Sequence, residues 1–355
     1  MRKFNNLLVT GGAGFIGSNL IRYIFEKTDF AGRIVNLDAL TYAGNLASVA
    51  DVAAKAGQRH QFVRADIRDR NALVGVFDSF GIDAVCHLAA ESHVDRSIVA
   101  PDDFVQTNIV GTFNLLQTAR ERAPNLVLFH HVSTDEVFGS LGETGFFTEA
   151  TPYDPHSPYS ASKAASDHIV RAYHDTYGMP VTISNCSNNY GAYQFPEKLI
   201  PLMILNALEG KPLPVYGAGA NVRDWLHVED HCSAIWAIMT RAESGATYAV
   251  GGRAEMRNID VVRRICAEVD RFAPPLASGA PRESLITFVK DRPGHDMRYA
   301  IDCTRLENEL GWRQSEDSAT GFAKTVKWYL ENSAWVESVR TGEYRKWLDT
   351  NYRER

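Results

Sequence analysis

The stretch that most limits what this chain can become is Leu7-Leu8-Val9-Thr10 running straight into Gly11-Gly12-Ala13-Gly14-Phe15-Ile16-Gly17. The four apolar or β-prone residues read as a buried strand, and Ile16, Leu20, Ile21 and Ile24 follow at helical spacing. Strand, glycine turn and helix start in that order make a corner suited to an anion. Gly11 allows the tight turn, Gly14 lets main chain approach a pyrophosphate, and Gly17 lets the helix pack close to the strand. A glycine pattern alone is weak evidence; in this setting Gly11, Gly12, Gly14, Phe15, Ile16 and Gly17 are assigned to a dinucleotide.

The next units support that assignment. Arg33 to Leu37 reads as a second strand ending in Asp38, about 20 residues beyond the glycine turn. A carboxylate there accepts hydrogen bonds from a ribose diol and repels a 2′-phosphate, which favours NAD over NADP; the alternative is a turn or capping aspartate. Gln61 to Asp66 is a third strand, with Asp66 and Ile67 where an adenine would lie, unless Asp66 simply caps the helix Asn71 to Phe80. Asp83 to Leu88 is a fourth. Leu88, Ala89 and Ala90 leave room for a cofactor, and Ser92 and His93 follow as polar lining, although a lone histidine in a polar loop is more often structural. Pro101 to Arg120 reads as one long helix turning Thr107, Asn108 and Gly111 to the sheet. A fifth strand ends at Ser133 and a sixth at Cys186.

Together these units predict an α/β chain: a Rossmann-type doubly wound parallel sheet, with ligands at the carboxyl ends of its strands. Residues 1–187 are expected to form the NAD-binding domain, and 188–355 mainly a smaller C-terminal α/β substrate lobe. A segment around 223–245 is expected to return to the sheet.

Two short patterns carry chemistry. Ser133-Thr134-Asp135-Glu136 closes the fifth strand with adjacent carboxylates. On an extended segment their side chains face opposite sides, and different surroundings separate carboxyl pKa values, leaving one group an acid and the other a base. The bland alternative is a solvated strand end. Further on, Ser157 and Pro158 fit the cap and first position of a helix that puts Tyr159 and Lys163 on one face. An ammonium near a phenol favours the phenolate, and hence a basic tyrosine. As an isolated pair they would be surface decoration.

Bulk properties exclude other classes. A net charge of -6 argues against a general nucleic-acid or anionic-membrane surface. The five cysteines stand singly, without metal-type spacing, which fits a reducing cytoplasm and gives no metal site. The apolar run after Arg2 and Lys3 is too short for a signal peptide, and the longest one, Leu199 to Leu205, contains Pro201. In the second lobe Glu197, Lys198, Leu199, Pro214, Val215, Tyr216, Arg223, Asn258, Arg292 and His295 sit mostly at loops or element ends. Arg223 and Arg292 suit a diphosphate, or else surface ion pairs. The last ~50 residues read as helices, with Trp328, Trp335 and Trp347 as packing residues.

Gly11 to Gly17 with Tyr159 and Lys163 resemble the extended short-chain dehydrogenase/reductase superfamily. Within it, His87 to Ser97, Ser133 to Gly139, Asn188 to Gly191, Gln194 to Leu199, Arg223 to Leu226 and Asp291 to Asp296 are similar to the nucleotide-sugar 4,6-dehydratases. The likeness spans about residues 5 to 330. Ala192 stands where proline is usual, and Arg253 to Arg257 is less typical.

The resemblance implies a lyase that removes water from a nucleotide sugar, dTDP-glucose, with NAD as oxidant and then reductant. It implies Tyr159 with Lys163 as base at the sugar 4-hydroxyl, Thr134 at the 4-oxygen, Glu136 as base at C5 and Asp135 as acid at the 6-hydroxyl. Ser133 and Asn189 join the cofactor set. Ser92, Asn188, Lys198, Leu199, Arg223, Asn258, Arg292 and His295 would surround the nucleotide sugar. A homodimer is implied through the helices Pro101 to Arg120 and Tyr159 to Tyr177. Rival readings are a nucleotide-sugar 4-epimerase, a UDP- or GDP-sugar dehydratase, and a non-catalytic NAD-dependent sensor.

Overall fold

The computed structural model describes residues 1–340. Leu7, Leu8 and Val9 are all buried, as a strand covered on both faces requires, and the strand they form sits inside a parallel sheet. In chain order the strands are β1 (Asn6–Thr10), β2 (Arg33–Asp38), β3 (His60–Arg64), β4 (Ala84–His87), β5 (Leu128–Thr134) and β6 (Val181–Cys186). Then come β7 (Asn188–Tyr190), β8 (Leu213–Tyr216), β9 (Val222–His227), β10 (Thr247–Val250), β11 (Glu255–Arg257) and β12 (Ile286–Val289). Seven of them make one parallel sheet in the order β10-β6-β5-β4-β1-β2-β3. From β1 the chain winds outward to β3, then crosses back to β4 and winds the other way. That reversal opens a crevice at the carboxyl ends of β1 and β4.

Helices cover both faces. On one, Phe15–Lys27 packs against Val228–Arg241, and Val9, Leu20, Ile24, Ile34, Cys232 and Ile235 share a core. On the other, Arg70–Phe80, Thr112–Arg122 and Pro158–Tyr177 bury Leu8, Phe77, Val85, Leu115, Phe129 and Val170. Pro158–Tyr177 starts as its sequence predicts, with Pro158 in the first turn and a reciprocal cap between Ser157 and Ser160.

The expected long helix over Pro101 to Arg120 is interrupted. Pro101–Phe104 and Thr112–Arg122 are α-helical, but Val105–Gly111 widens into π turns. Asn108 gives the reason. Its Oδ1 accepts from Glu91 N at 2.9 Å, and its Nδ2 donates to Glu91 O at 3.0 Å and Ser162 Oγ at 2.8 Å. Three bonds to groups outside the helix hold the residue where a regular α-turn would not put it. The cap of Arg70–Phe80 also differs: Asp69 accepts from Asn71 N and Ala72 N, while Asp66 pairs with Arg68 at 2.7 Å.

Beyond β6 the chain builds a second layer: a three-stranded sheet β11-β9-β7, a two-stranded ribbon β12-β8, and the helices Leu199–Glu209, Asn258–Phe272 and Ser318–Glu331. Met203, Ile204, Val215, Ile265, Phe322 and Val326 form its core, with Trp335 buried and Trp328 packed beside it. Trp347 lies outside the described residues. In the middle of this stretch Val228–Arg241 and β10 lie against the main sheet. No helix among the described residues is long and apolar enough to cross a membrane, and all five cysteines are buried and unpaired.

The corner after β1 tolerates little. A Cβ on Gly17 would lie 2.2 Å from Gly11 O and 2.8 Å from Gly12 Cα, both backbone, whereas one on helical, exposed Gly75 meets nothing within 4 Å. Gly17→Ala should therefore lower stability by about 1–3 kcal/mol. Gly75→Ala should raise it by about 0.5–1 kcal/mol. Chemical denaturation of the two variants checks both signs.

Candidate active site

β5 lies between β4 and β6 and is buried along its whole length. Its pairing with β6 ends at Thr134↔Cys186, and there the chain leaves the sheet in a 3₁₀ turn, Asp135–Phe138. Thr134 caps that turn, its Oγ1 accepting from Glu136 N at 3.2 Å. The two carboxylates thus stand on a turn and not on the extended segment expected, because the Thr134 hydroxyl offers the backbone a local partner where the ladder stops. Their surroundings still differ. Asp135 is 1% exposed, with Oδ1 3.3 Å from Thr134 Oγ1 and Oδ2 without a hydrogen-bond partner among the described residues. Glu136 lines a cavity. Burial, then the charge of Glu136, pushes Asp135 well above the usual carboxylate range. Burial raises Glu136 too, while Arg292, Arg223 and Lys198 pull it back.

That cavity, of about 530 Å³, runs along the crevice. Gly11, Gly14, Phe15, Ile16 and Gly17 line one part, and Asp38, Asp66 and Ile67 another. Leu88, Ala89, Ala90, Ser92 and Thr107 continue the wall to Ser133, Thr134, Tyr159 and Lys163. Gly12 lies outside it, packed where a Cβ would meet Asn36 Oδ1 at 2.2 Å. The donor set fits a dinucleotide. A side chain on Gly11 would strike the Ala89 main chain at 2.8 Å, so only bare backbone shapes this corner. Asp38 is pinned by Ala13 N (2.9 Å) and Leu40 N (2.8 Å), which leaves a fixed carboxylate facing the cavity.

The helix Pro158–Tyr177 brings Tyr159 and Lys163 to the same wall, as their spacing suggests for a shared face. Lys163 Nζ donates to Val132 O at 2.9 Å. The Tyr159 phenol is raised well above its usual range by burial and by Glu136 and Cys186, with a hydrogen bond to Thr134 lowering it. In this state it is a neutral phenol. Four-residue spacing reported the shared face; it could not report that a β5 carbonyl binds the ammonium.

The second lobe closes the other side. Asn188, Asn189, Glu197 and Lys198 line the cavity, and Lys198 Nζ donates to Ser92 O at 2.8 Å. Asp95 receives Tyr216 OH at 2.9 Å and lies 3.9 Å from Arg292 Nη1, a hub that the sequence reading did not single out. Arg223 sits over the Tyr299 ring at 4.1 Å and donates to Asp296 O at 2.9 Å. His295 pairs with Asp291 at 2.6 Å. His93 is buried, and burial with the charge of Lys198 holds it well below the usual histidine range. Asn188 Oδ1, Asn258 Oδ1 and Arg292 Nε are buried without hydrogen-bond partners among the described residues.

Leu199, Pro214, Val215, Tyr216, Arg223, Asn258, Arg292 and His295 are not in the cavity wall itself. Along β8, Leu213 and Val215 are buried while Pro214 and Tyr216 are half-buried, so the side chain of Val215 belongs to the lobe core and only its main chain could meet a ligand. Thr41, Gly44, Glu91, Asp103, Gln194 and Phe195 line the cavity without having been assigned to it. Glu91 follows Ala89-Ala90 directly, and Gln194 and Phe195 open the stretch Gln194 to Leu199, so these three could have been read from their neighbours; Thr41, Gly44 and Asp103 carry no local pattern.

The family model described as GDP-mannose 4,6 dehydratase matches residues 8–325. A protein of Sinorhizobium fredii described as a "probable dTDP-glucose 4,6-dehydratase" is 58% identical over 95% of this chain and 96% of its own. The dTDP-glucose 4,6-dehydratase of Neisseria meningitidis serogroup B is 56% identical over 97% of this chain and 98% of its own. Among solved structures, a dTDP-glucose 4,6-dehydratase of Streptomyces venezuelae with NAD bound superposes with a TM-score of 0.87. It is 46% identical and covers 94% of this chain and 100% of its own. With more than half of all positions shared over nearly the whole length, the chain belongs to the dTDP-glucose 4,6-dehydratase family.

Proposed function

We propose that this chain is a lyase that converts dTDP-glucose to dTDP-4-keto-6-deoxy-glucose and water, with NAD as its cofactor. The observation that carries the reading is the pair at the end of β5. Asp135 is buried with its carboxyl pushed well above the usual range, and Glu136 beside it faces the cavity that Tyr159 also lines. A 4-epimerase needs the same cofactor crevice and tyrosine, but has no step in which an acid and a base work on adjacent carbons. The dTDP part rests on the relatives.

In this reading Gly11, Gly14, Asp38, Asp66, Ile67, Leu88, Thr107 and Lys163 hold NAD. Asn188, Lys198, Arg223, Asn258, Arg292 and His295 hold the nucleotide diphosphate. When bound, NAD supplies a two-electron acceptor for C4 and the donor that later reduces C6. Tyr159 must first give up its own proton, an ionisation that the positive charges of Lys163 and of bound NAD would favour; as phenolate it takes the 4-hydroxyl proton, and Thr134, hydrogen-bonded to the phenol oxygen, orients the same oxygen. The resulting ketone acidifies the C5 hydrogen, which Glu136 removes. Asp135 gives its proton to the 6-oxygen as the C6–O bond breaks, and water leaves. Glu136 then returns a proton to C5. The proton collected by Tyr159 balances the one given by Asp135, so one water is the only other product. Arg223 and Arg292 serve by fixing the diphosphate, which sets where C4, C5 and C6 can lie.

Residues 1–187 with the returning segment around 223–245 act as the NAD domain in this scheme, and 188–355 mainly as the nucleotide-sugar lobe. We also infer a cytoplasmic homodimer that supplies deoxysugar synthesis such as that of dTDP-rhamnose. Support for the dimer comes from Ile98, Val99, Val105, Phe113 and Tyr177, large apolar residues exposed on the helical segments 94–122 and 158–177. Two copies would pair them as a four-helix bundle.

The test is mass spectrometry of products from dTDP-glucose, UDP-glucose and GDP-mannose in heavy water. Loss of one water with deuterium gained at C5, on dTDP-glucose alone, is expected; an unchanged mass with C4 inverted would mean an epimerase. Asp135→Asn should lower dehydration by about 10²-fold or more, and should slow C4 oxidation, read from absorbance of the reduced cofactor, far less. Tyr159→Phe should lose the oxidation itself by a similar factor.

The same carboxyl has a stability signature. Its raised folded-state pKa means that the folded chain keeps a proton which the unfolded chain releases, so stability falls as pH rises from the unfolded value, about 3.9, towards the folded one. The melting temperature of Asp135→Asn relative to wild type should therefore climb over that window.

A further inference from the structure

Behind the cavity wall lies a buried charge that the reaction scheme does not use. Asp167 stands one turn beyond Lys163 on the helix Pro158–Tyr177 and is 0% exposed. Its Oδ2 accepts from Ser133 Oγ (2.9 Å), Tyr153 OH (2.8 Å) and Asn185 Nδ2 (3.1 Å). Its Oδ1 lies 3.2 Å from His131 Nε2. That imidazole nitrogen is also 3.4 Å from Lys163 Nζ and 3.3 Å from Ser166 Oγ. A buried ammonium and a buried carboxylate thus meet through one imidazole, and the Val132 carbonyl holds the ammonium from the other side.

Among the described residues, the remaining groups facing this cluster offer no other countercharge. The His87 ring lies 5.2 Å from His131, with its two nitrogens at Thr10 and Thr112. His130 is bound to Thr182 and Ser184. Arg171 donates to the Tyr153 hydroxyl, and burial pushes the Cys186 thiol up to about 12, so it is neutral. Tyr159 is a neutral phenol. Burial and Lys163 outweigh Asp167 at His131 and leave it at about 4, uncharged at neutral pH. Burial would raise Asp167, but the hydrogen bonds of His131 and Ser133 and the charge of Lys163 bring it below the usual carboxylate range. An ammonium enclosed in this way with no countercharge loses its proton.

We propose that Asp167 and His131 are positioning residues for the reaction: Asp167 is the countercharge that keeps Lys163 an ammonium, and His131 sets the spacing that leaves that ammonium on the Val132 carbonyl in the cavity wall. The same carboxylate holds Ser133 next to the reactive turn. The link to catalysis rests on the reading of Tyr159 as base with Lys163 as its supporting charge.

The experiment follows Lys163 itself. In the full-length protein with ¹³C-labelled lysine, its ε-carbon signal is assigned by its loss in Lys163→Met and titrated with pH. In Asp167→Asn the midpoint should fall by about one pH unit or more, and the acidic limb of kcat should rise by a similar amount. In His131→Gln, which leaves the carboxylate charged, the midpoint should stay within about half a unit while kcat falls. An unchanged Lys163 midpoint in Asp167→Asn overturns the proposal. A shifted midpoint with an unshifted kcat limb leaves the countercharge standing and overturns the Tyr159–Lys163 chemistry instead. Should Asp167→Asn fail to fold, the Lys163→Met, Asp167→Asn double variant should fold, since it removes both charges. Failure of both would make Asp167 a packing residue only and overturn the proposal.

Discussion

The constraint from which the site follows is that β5 must end inside the protein. A strand buried on both faces and paired on both edges ends among protein groups and one cavity wall, so most polar groups there take their partners from the protein. Thr134 supplies one by capping its own turn, Asp167 another by holding Ser133, and Lys163 a third at the Val132 carbonyl. Asp135 is left with its Oδ2 unpartnered among the described residues, and burial raises its carboxyl well above the usual range. The upward shift of this carboxyl is a result of where a strand stops.

The helix Pro158–Tyr177 is the second support, and its cap matters because its residues act at fixed intervals. Tyr159, Lys163 and Asp167 recur every four residues, so one helical stripe delivers a phenol, an ammonium and a carboxylate to successive depths behind β5. The first two reach the cavity, and the third closes the polar layer beneath. The segment Val94–Val99 does comparable work towards the second lobe: Asp95 joins Tyr216 and Arg292, and Arg96 pairs with Glu197 at 3.0 Å.

What could be read from the sequence divides along the same line. The parallel sheet was legible because strand runs, glycine turn and helical periodicity are local signals, and so was the bringing together of Gly11, Asp38, Ser133 and Tyr159, which follows from topology. The geometry of the turn after β5 was not. A hydroxyl cap at Thr134 and an extended strand end look alike in one dimension. The π turns over Val105–Gly111 were hidden for a related reason, since they come from bonds of Asn108 to Glu91 and Ser162, distant in the chain. Val215 shows the reverse: a residue flanked by site-like neighbours whose side chain the alternation of β8 sends into the core, which leaves only its main chain for a ligand.

The order of the sheet carries one more consequence. Its outermost strand on the β6 side, β10, is made only after the chain has travelled through β7, β8 and β9, which belong to the other layer. During synthesis, then, the main sheet cannot be completed when its first six strands have emerged; β6 remains a raw edge until a large part of the second layer exists. The two halves are therefore poor units for recombination or truncation, since a cut anywhere between β6 and β10 leaves a sheet with an open, apolar border. The interleaving makes the crevice and its opposite wall mature together.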